Sequence, residues 1–193
     1  DAIVAKSDES GSSFQVGKVV VHSKLPGIFN ISNMLGAIAC AKFLKISEET
    51  IKKGLESLES IRGRAESIKC GQDFEVVVDY AHTPDSLKAI YETYCPSTSS
   101  GPKHKLICVL GNTGGGRDTW KRPEMGKIAD EYCSEIILTN EDPYDEDPLK
   151  IVEDVKKGIT NKPVEIIMDR RGAIRAAIKL ASDFAKASPD KQG

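Results

Sequence analysis

The sequence predicts an α/β protein built on a mainly parallel sheet with helices on both faces. Short apolar runs that end in polar residues alternate with stretches of helical period from about residue 74 onward. Short connections join them, and such alternation is typical of parallel sheets covered by helices. A helix-rich piece precedes this region, so we predict two domains, residues 1–69 and 70–193, with the change of pattern between Arg62 and Gly71.

The first sixty residues predict a strand-like segment and two helices. The segment up to about Leu25 is rich in β-branched and aromatic residues, which favour strands. Residues 30–44 have a partly apolar face of helical period and predict the first helix. The second helix is predicted to begin after Ser47 as its N-cap, with Glu48 and Glu49 in the first turn, where acids complement the helix dipole.

Four strands and four helices are predicted to alternate in the second region. The predicted strands are residues 74–79, 105–110, 135–139 and 164–168. Thr83 as N-cap and Pro84 at the first helical position predict the start of the helix after the first strand. The next helices are predicted to open at Pro123 and at Pro148, and the last is marked by Ile174, Ile178, Ala181 and Ala185.

Composition excludes several classes of function. The chain has 27 Lys and Arg against 29 Asp and Glu, a net charge of −2, which excludes a general binder of nucleic-acid phosphates. No apolar run approaches the roughly 18 residues of a membrane span, and the N-terminus does not resemble a signal peptide. The five cysteines show no C-x-x-C spacing, and Cys40 and Cys108 are interpreted as core residues. We therefore expect a cytoplasmic protein that binds neither nucleic acid nor membrane.

The loops that follow the four predicted strands carry the most unusual polar residues. Ligands of open parallel sheets bind at the carboxyl ends of the strands, so these loops are expected to share one edge. Acids at strand ends can hold ribose hydroxyls, and arginine pairs with carboxylate or phosphate through two hydrogen bonds. The loops are residues 79–85, 111–123, 139–147 and 169–171.

Each candidate also has a plain structural explanation. Gly114–Gly116 matches neither the phosphate loop nor the dinucleotide glycine spacing, so it could be only a tight turn. The acid cluster at residues 141–147 could be a solvated loop. His82 could cap the helix that follows it, and Asn30 and Asn33 could only form hydrogen bonds at a helix start.

Five motifs, in this order and at matching intervals, resemble the C-terminal part of the Mur ligases, and most closely the MurE type. The motifs are Leu25–Asn30 with Asn33, Gly63–Glu66, Asp79–Asp85, Gly115–Gly126 and Asp169–Arg170. The resemblance covers most of the chain. It implies that residues 1–69 are the end of a central ATP-binding domain and residues 70–193 most of a Rossmann-like C-terminal domain.

The resemblance implies an ATP-dependent amide ligase of peptidoglycan precursor synthesis. ATP would phosphorylate a carboxylate of UDP-N-acetylmuramoyl-L-Ala-D-Glu, and the amino group of a third amino acid would displace the phosphate. A carboxylate is a poor electrophile, whereas an acyl phosphate carries a good leaving group, and Mg²⁺ with cationic side chains stabilises the developing charge. The family's phosphate loop and Mg²⁺-binding residues have no counterpart in this sequence. We therefore assign no catalytic or metal-binding residue and expect residues 1–193 alone to be inactive.

The resemblance also implies two groups of binding residues. The expected nucleotide-binding residues are Asn30, Asn33, Arg64, Asp79 and His82, with Asp79 on the ribose. The expected residues for the incoming amino acid are Arg117, Glu141, Asp142, Pro143 and Tyr144. Arg117 would hold the carboxylate of that amino acid, and residues 141–144 would read its side chain.

Residues 141–144 depart from the D-N-P-R pattern of the family because Tyr144 replaces the arginine. Diaminopimelate carries a second carboxylate, which would meet surplus acid here and no guanidinium. The loop therefore predicts a lysine-like diamine, with meso-diaminopimelate as the other candidate. Two further readings stay open: another amide ligase of the superfamily, such as a folylpolyglutamate synthase, and a nucleotide-binding module without turnover. Lys121–Pro123 and residues 79–85 argue against the synthase.

Overall fold

The structure is a computed structural model that describes residues 5–95, 105–116 and 118–187. Contacts within the chain divide it into two compact units. The first contains residues 1–68, 76–81 and 89–96, and the second contains residues 69–75, 82–88 and 97–193. Because the two units interleave along the chain, the predicted domain boundary at residue 69 remains a prediction.

An antiparallel sheet and two helices form the core of the first unit. Strands β1 (Ala5–Asp8), β2 (Gly11–Val16) and β3 (Val19–Ser23) pair in chain order. Helices α1 (Ile28–Phe43) and α2 (Glu48–Glu56) follow, and the Ser47 hydroxyl accepts a hydrogen bond from Thr50 N, which confirms the predicted N-cap. The core residues are Phe14, Val21, Ile31, Met34, Ile38 and Leu55.

Helix α1 buries one side and leaves the other exposed. Ile38 packs into the core, whereas Cys40 lies two residues further along and is exposed. Two residues correspond to about 200° around a helix, so Cys40 points to the opposite side and its interpretation as a core residue is wrong. Phe43 is 86% exposed at the end of this side. Cys108 is buried, as predicted.

The predicted strand at residues 74–79 forms a different pairing from the one expected. Strand β4 (Glu66–Ser67) pairs antiparallel with β5 (Val77–Val78). In the described part of the chain β5 joins no parallel sheet, so the prediction of a fourth parallel strand is wrong. Val78 is 45% exposed, and a strand exposed to this extent lacks the burial on both faces that a parallel strand requires.

Helix α3 (Pro84–Tyr94) follows β5 and begins as the sequence predicts. Pro84 is its first residue, and Thr83 Oγ1 accepts a hydrogen bond from Ser86 N at 3.3 Å. This is the N-cap interaction expected of Thr83, because a side-chain oxygen there satisfies an amide that has no partner within the helix.

The second unit contains the parallel sheet that the sequence predicts. Strands β6 (Ile107–Leu110), β7 (Glu135–Leu138) and β8 (Val164–Ile166) pair parallel in chain order. Helix α4 (Lys121–Tyr132) connects the first two strands, α5 (Pro148–Lys156) the last two, and α6 (Arg170–Ala187) follows β8. The side chains of Ile136, Ile137 and Leu138 are buried, as expected for a central parallel strand.

Two helices of this unit were predicted to begin at a proline, and one of them does. Helix α5 begins at Pro148, as predicted, and Asp147 caps it by accepting a hydrogen bond from Leu149 N at 3.0 Å. Helix α4 begins at Lys121, two residues before the predicted start at Pro123. Proline is accepted at any position of the first turn, because amides there have no partner within the helix. None of the helices in the described ranges has the length and apolarity that crossing a membrane requires.

Candidate functional site

The loops after β6, β7 and β8 meet at the carboxyl edge of the parallel sheet, as predicted for three of the four loops. Thr139 N donates to Leu110 O at 3.0 Å, so strand pairing continues up to the loops. Arg170 Nε donates to Asn140 O at 3.0 Å and joins the loop after β8 to the loop after β7. The fourth predicted loop, residues 79–85, follows β5 instead.

The glycines after β6 allow two loops to pack backbone against backbone. Gly114 N donates to Asp142 O at 2.8 Å, and a Cβ atom on Gly114 would lie only 2.1 Å from Pro143 O. Gly115 and Gly116 have φ angles of 83° and 69°, a backbone conformation that is unfavourable for residues with a Cβ atom. The glycine run therefore does not only form a tight turn. Gly114 also permits a backbone contact with Asp142 and Pro143 that any residue with a Cβ atom would prevent.

A buried guanidinium connects both loops to the helices behind them. Arg122, in the first turn of α4, is 1% exposed, and its Nη2 lies 3.0 Å from Glu146 Oε1. Its Nη1 lies 3.4 Å from Asp154 Oδ2 on α5. The same Glu146 oxygen accepts a hydrogen bond from Gly116 N at 2.6 Å.

These contacts shift the pKa values of the buried Arg122 and the partly exposed Glu146 in opposite directions. The hydrogen bond with Glu146 raises the pKa of Arg122. The hydrogen bonds from Arg122 and from Gly116 N lower the pKa of Glu146. The sequence predicted no separate role for either residue. Arg122 belongs to the Lys121–Pro123 motif, and Glu146 is one member of the acid cluster at residues 141–147.

Four of the residues predicted to bind the incoming amino acid lie in the loop after β7. Glu141 is half-buried and accepts a hydrogen bond from Thr113 Oγ1 at 3.2 Å. Asp142 is exposed, and Pro143 contributes its carbonyl to the contact with Gly114. Tyr144 is 66% exposed and has a φ angle of 50°. The fifth predicted residue, Arg117, lies outside the described residues.

The structure lowers the number of carboxylates that remain for a ligand. Glu146 is paired with Arg122, and Asp147 caps α5. The attraction that the sequence predicts for a side-chain ammonium therefore cannot come from all five acids of residues 141–147. The remaining acids are Glu141, Asp142 and Asp145.

Two of the predicted nucleotide-binding residues lie at one turn of the first unit. The guanidinium of Arg64 stacks 4.6 Å above the ring of Tyr80, and both residues are exposed. The two oxygens of Asp79 accept hydrogen bonds from Ala65 N and Ala81 N, each at 2.7 Å. Ala65 has a φ angle of 48°, so Asp79 stabilises an unfavourable backbone conformation next to Arg64. Each carboxylate oxygen retains a lone pair for a ribose hydroxyl.

The other predicted nucleotide-binding residues are placed less favourably. Asn30 is buried, and its Nδ2 donates to Pro26 O at 2.7 Å, as the helix-start explanation requires. Asn33 is exposed and donates to Asn30 Oδ1 at 3.4 Å. His82 is exposed and belongs to the second unit, whereas the other four belong to the first.

The described ranges contain no cluster of side chains of the kind that binds a metal ion through three or more ligands. No group of three or more His, Cys, Asp or Glu side chains there could hold a metal ion. We therefore derive no chemical step through a metal held by the described residues.

Comparisons with known proteins identify relatives of this chain. Residues 63–185 match the model of the Mur ligase glutamate ligase domain. The UDP-N-acetylmuramoyl-L-alanyl-D-glutamate–2,6-diaminopimelate ligase of Syntrophomonas wolfei is 43% identical over 183 residues, which are 91% of this chain and 36% of the relative. The chain thus spans about a third of the length of the curated relatives it matches.

Two solved structures extend the comparison to the fold. A structure of a UDP-N-acetylmuramoyl-L-alanyl-D-glutamate–2,6-diaminopimelate ligase is 32% identical, covers 91% of this chain and 36% of its own, and has a TM-score of 0.54. The Mycobacterium tuberculosis folylpolyglutamate synthase complexed with ADP and AMPPCP is 20% identical, covers 98% and 42%, and has a TM-score of 0.76. At 20% identity the second likeness concerns the fold alone.

Proposed function

This chain belongs to the Mur ligase family, and from that premise we propose that its full-length protein is an ATP-dependent amide ligase of peptidoglycan precursor synthesis. It joins a third amino acid to UDP-N-acetylmuramoyl-L-Ala-D-Glu in the cytoplasm. One observation carries the proposal. The loops predicted to bind the amino acid interlock at the carboxyl edge of the sheet, in a chain 43% identical to a ligase named for joining 2,6-diaminopimelate to the same UDP-muramoyl dipeptide.

The chemistry requires an activated carboxylate and a positioned amine. ATP supplies the phosphoryl group that converts the dipeptide carboxylate into an acyl phosphate. Attack by the amino group then forms the amide bond and releases phosphate, so one ATP is consumed for each bond. Residues of this chain contribute by binding: the loops after β6 and β7 orient the incoming amine, and Arg117 holds its carboxylate. Fixing the two reactants in this way removes much of the entropic part of the barrier.

Arg64 and Asp79 fit the nucleotide side of this reaction. The exposed guanidinium of Arg64 suits a phosphate or a base, and the Tyr80 ring beneath it restricts its orientation. The Asp79 carboxylate can accept a hydrogen bond from a ribose hydroxyl while it also accepts the one from Ala65 N, next to Arg64. These are the roles that the family resemblance assigns to the two residues.

The third amino acid is proposed to be lysine or a similar diamine. Tyr144 offers no positive charge to a second carboxylate, and three acids nearby favour an ammonium group. A Tyr144→Arg variant is expected to shift the preference towards meso-diaminopimelate, because a guanidinium can pair with the second carboxylate. The measurement is competition between the two amino acids for the full-length enzyme. An unchanged ratio, or faster use of meso-diaminopimelate by the wild type, would contradict the assignment.

The proposed function is tested by phosphate release from the full-length protein. ATP, Mg²⁺ and UDP-N-acetylmuramoyl-L-Ala-D-Glu are supplied with a panel of amino acids, and product masses are determined. We expect phosphate and tripeptide in equal amounts, and only when a third amino acid is present. Glutamate addition to a folate would instead identify a folylpolyglutamate synthase, and nucleotide binding without turnover a binding module.

A further inference from the structure

One carboxylate bridges the two loops that are proposed to bind the incoming amino acid. Glu146 Oε1 accepts the backbone N–H of Gly116 at 2.6 Å and lies 3.0 Å from Arg122 Nη2. Glu146 ends the segment that begins at Glu141, and Gly116 ends the glycine run after β6. The contact therefore joins the far ends of both segments.

The guanidinium behind this carboxylate is paired with two carboxylates, and its Nη2 also donates to Thr113 O at 3.5 Å. Arg122 is almost fully buried, and a charge-assisted hydrogen bond is stronger away from water. Asp154 on α5 holds the other terminal nitrogen of the guanidinium at 3.4 Å. Because Arg122 is itself a residue of α4, its bond to Glu146 anchors Gly116 to that helix, and Asp154 is not part of this link.

Backbone contact transmits this anchoring to the predicted substrate residues. Gly114 N donates to Asp142 O, and there is no room for a Cβ atom between Gly114 and Pro143 O. A Cβ atom on Gly115 would lie 3.4 Å from the ring of Tyr144. A displacement of the glycine run therefore also displaces Asp142, Pro143 and Tyr144.

We propose that Glu146, held by Arg122, is a positioning residue that sets the affinity for the incoming amino acid. It contacts no reacting atom and acts through Gly116, whose position fixes both loops at the sheet edge. The inference rests on the proposed function, since it assumes that this edge binds the third amino acid.

The test compares Glu146→Gln with Asp154→Asn in the full-length ligase. Each variant removes one carboxylate charge from Arg122, but only Glu146 contacts the glycine run. Glu146→Gln is expected to raise the KM of the third amino acid about tenfold, since it weakens hydrogen bonds to a charged group. The KM of ATP and kcat are expected to stay within about twofold, as are all constants of Asp154→Asn. Equal effects of both variants, or no effect of Glu146→Gln, would overturn the proposal.

Hydrogen exchange in the segment 114–116 gives a second readout. It is expected to be faster in Glu146→Gln and unchanged in Asp154→Asn, because only the first variant weakens the acceptor of Gly116 N. If Glu146→Gln does not fold, Glu146→Asp replaces it: the charge stays, the reach to Gly116 shortens, and both readouts should change in the same direction. A wild type that joins no third amino acid refutes the proposed function itself, whereas an active wild type with an unaffected Glu146 variant refutes only this inference.

Discussion

The pairing of Arg64 with Tyr80 shows how much the sequence predicts about single residues proposed to bind the nucleotide. The Gly63–Glu66 motif predicts that Arg64 binds the nucleotide. The structure places its guanidinium over the ring of Tyr80, 16 positions further along the chain. No sequence signal indicates that stacking, because it depends on the turn that Asp79 holds through Ala65 N. Asp79 thus has a structural role beside its proposed role in binding, and the sequence predicted only the binding role.

The stacking predicts a difference between two substitutions of Tyr80. Tyr80→Ala removes the ring beneath the guanidinium and is expected to raise the KM of ATP about two- to fivefold, the size of an exposed cation–π contact. Tyr80→Phe keeps the ring and serves as the matched control. Steady-state titration of ATP in the full-length enzyme measures both. The same increase in Tyr80→Phe would show that the ring stacking does not matter for the nucleotide.

Asp130 is a buried acid whose ionisation stabilises the second unit. Burial would raise its pKa, yet hydrogen bonds from the backbone and side chain of Asn161 and from Thr160 lower the pKa of Asp130 to about 2. A carboxyl with a depressed folded-state pKa stabilises the protein above its unfolded-state pKa. That contribution is lost as the pH falls through the folded-state pKa.

This gives a prediction for the pH dependence of stability. Asp130→Asn is expected to lower the free energy of unfolding by about 1–3 kcal/mol at neutral pH, because it weakens hydrogen bonds to a buried charge. The difference from the wild type should be constant above about pH 5 and shrink as the pH falls from there towards about 1. Unfolding measured over that range tests it. A difference that is independent of pH would mean that the charge of Asp130 does not contribute.

At the scale of elements, periodicity predicted most helices and strands but not all of their partners. The three parallel strands and their helices follow from apolar runs that alternate with amphipathic segments. The run at residues 74–79 has the same appearance, and it pairs antiparallel with β4 because its partner lies only a short connection away. A pattern along the chain records burial and period, whereas the choice of partner depends on contacts that the pattern does not contain.

Helices α4 and α5 pack at a distance that two glycines set. A Cβ atom on Gly126 would lie 2.0 Å from Val155 O, and one on Gly158 would lie 1.9 Å from Pro123 O. Gly126→Ala is therefore expected to destabilise the protein by about 2–3 kcal/mol, since the helices must move apart. Gly54→Ala, in the interior of α2 with nothing within 4 Å, is the control and should stabilise by about 0.5–1 kcal/mol. Thermal unfolding of both variants distinguishes close packing from helix propensity, and similar melting temperatures would contradict the packing argument.

At the scale of the whole molecule, the two residues proposed to bind the nucleotide and those proposed to bind the amino acid belong to different units. The first unit contains Arg64 and Asp79, and the second contains the interlocked loops at the sheet edge. The loops were predictable because the carboxyl ends of parallel strands share an edge. The anchoring of those loops was not, since Arg122 reaches acids 24 and 32 residues away and buried arginine is rare.

Isotope labelling tests directly whether the full-length protein activates a carboxylate as an acyl phosphate before it forms an amide, as we propose. The reacting carboxylate of the UDP-muramoyl dipeptide is labelled with ¹⁸O, and the phosphate released by the full-length enzyme is analysed by mass spectrometry. We predict one ¹⁸O atom in each phosphate, released in step with tripeptide, because the carboxylate oxygen that attacks ATP leaves with the phosphoryl group. Label recovered in AMP, or unlabelled phosphate released while tripeptide forms, would contradict an acyl-phosphate intermediate.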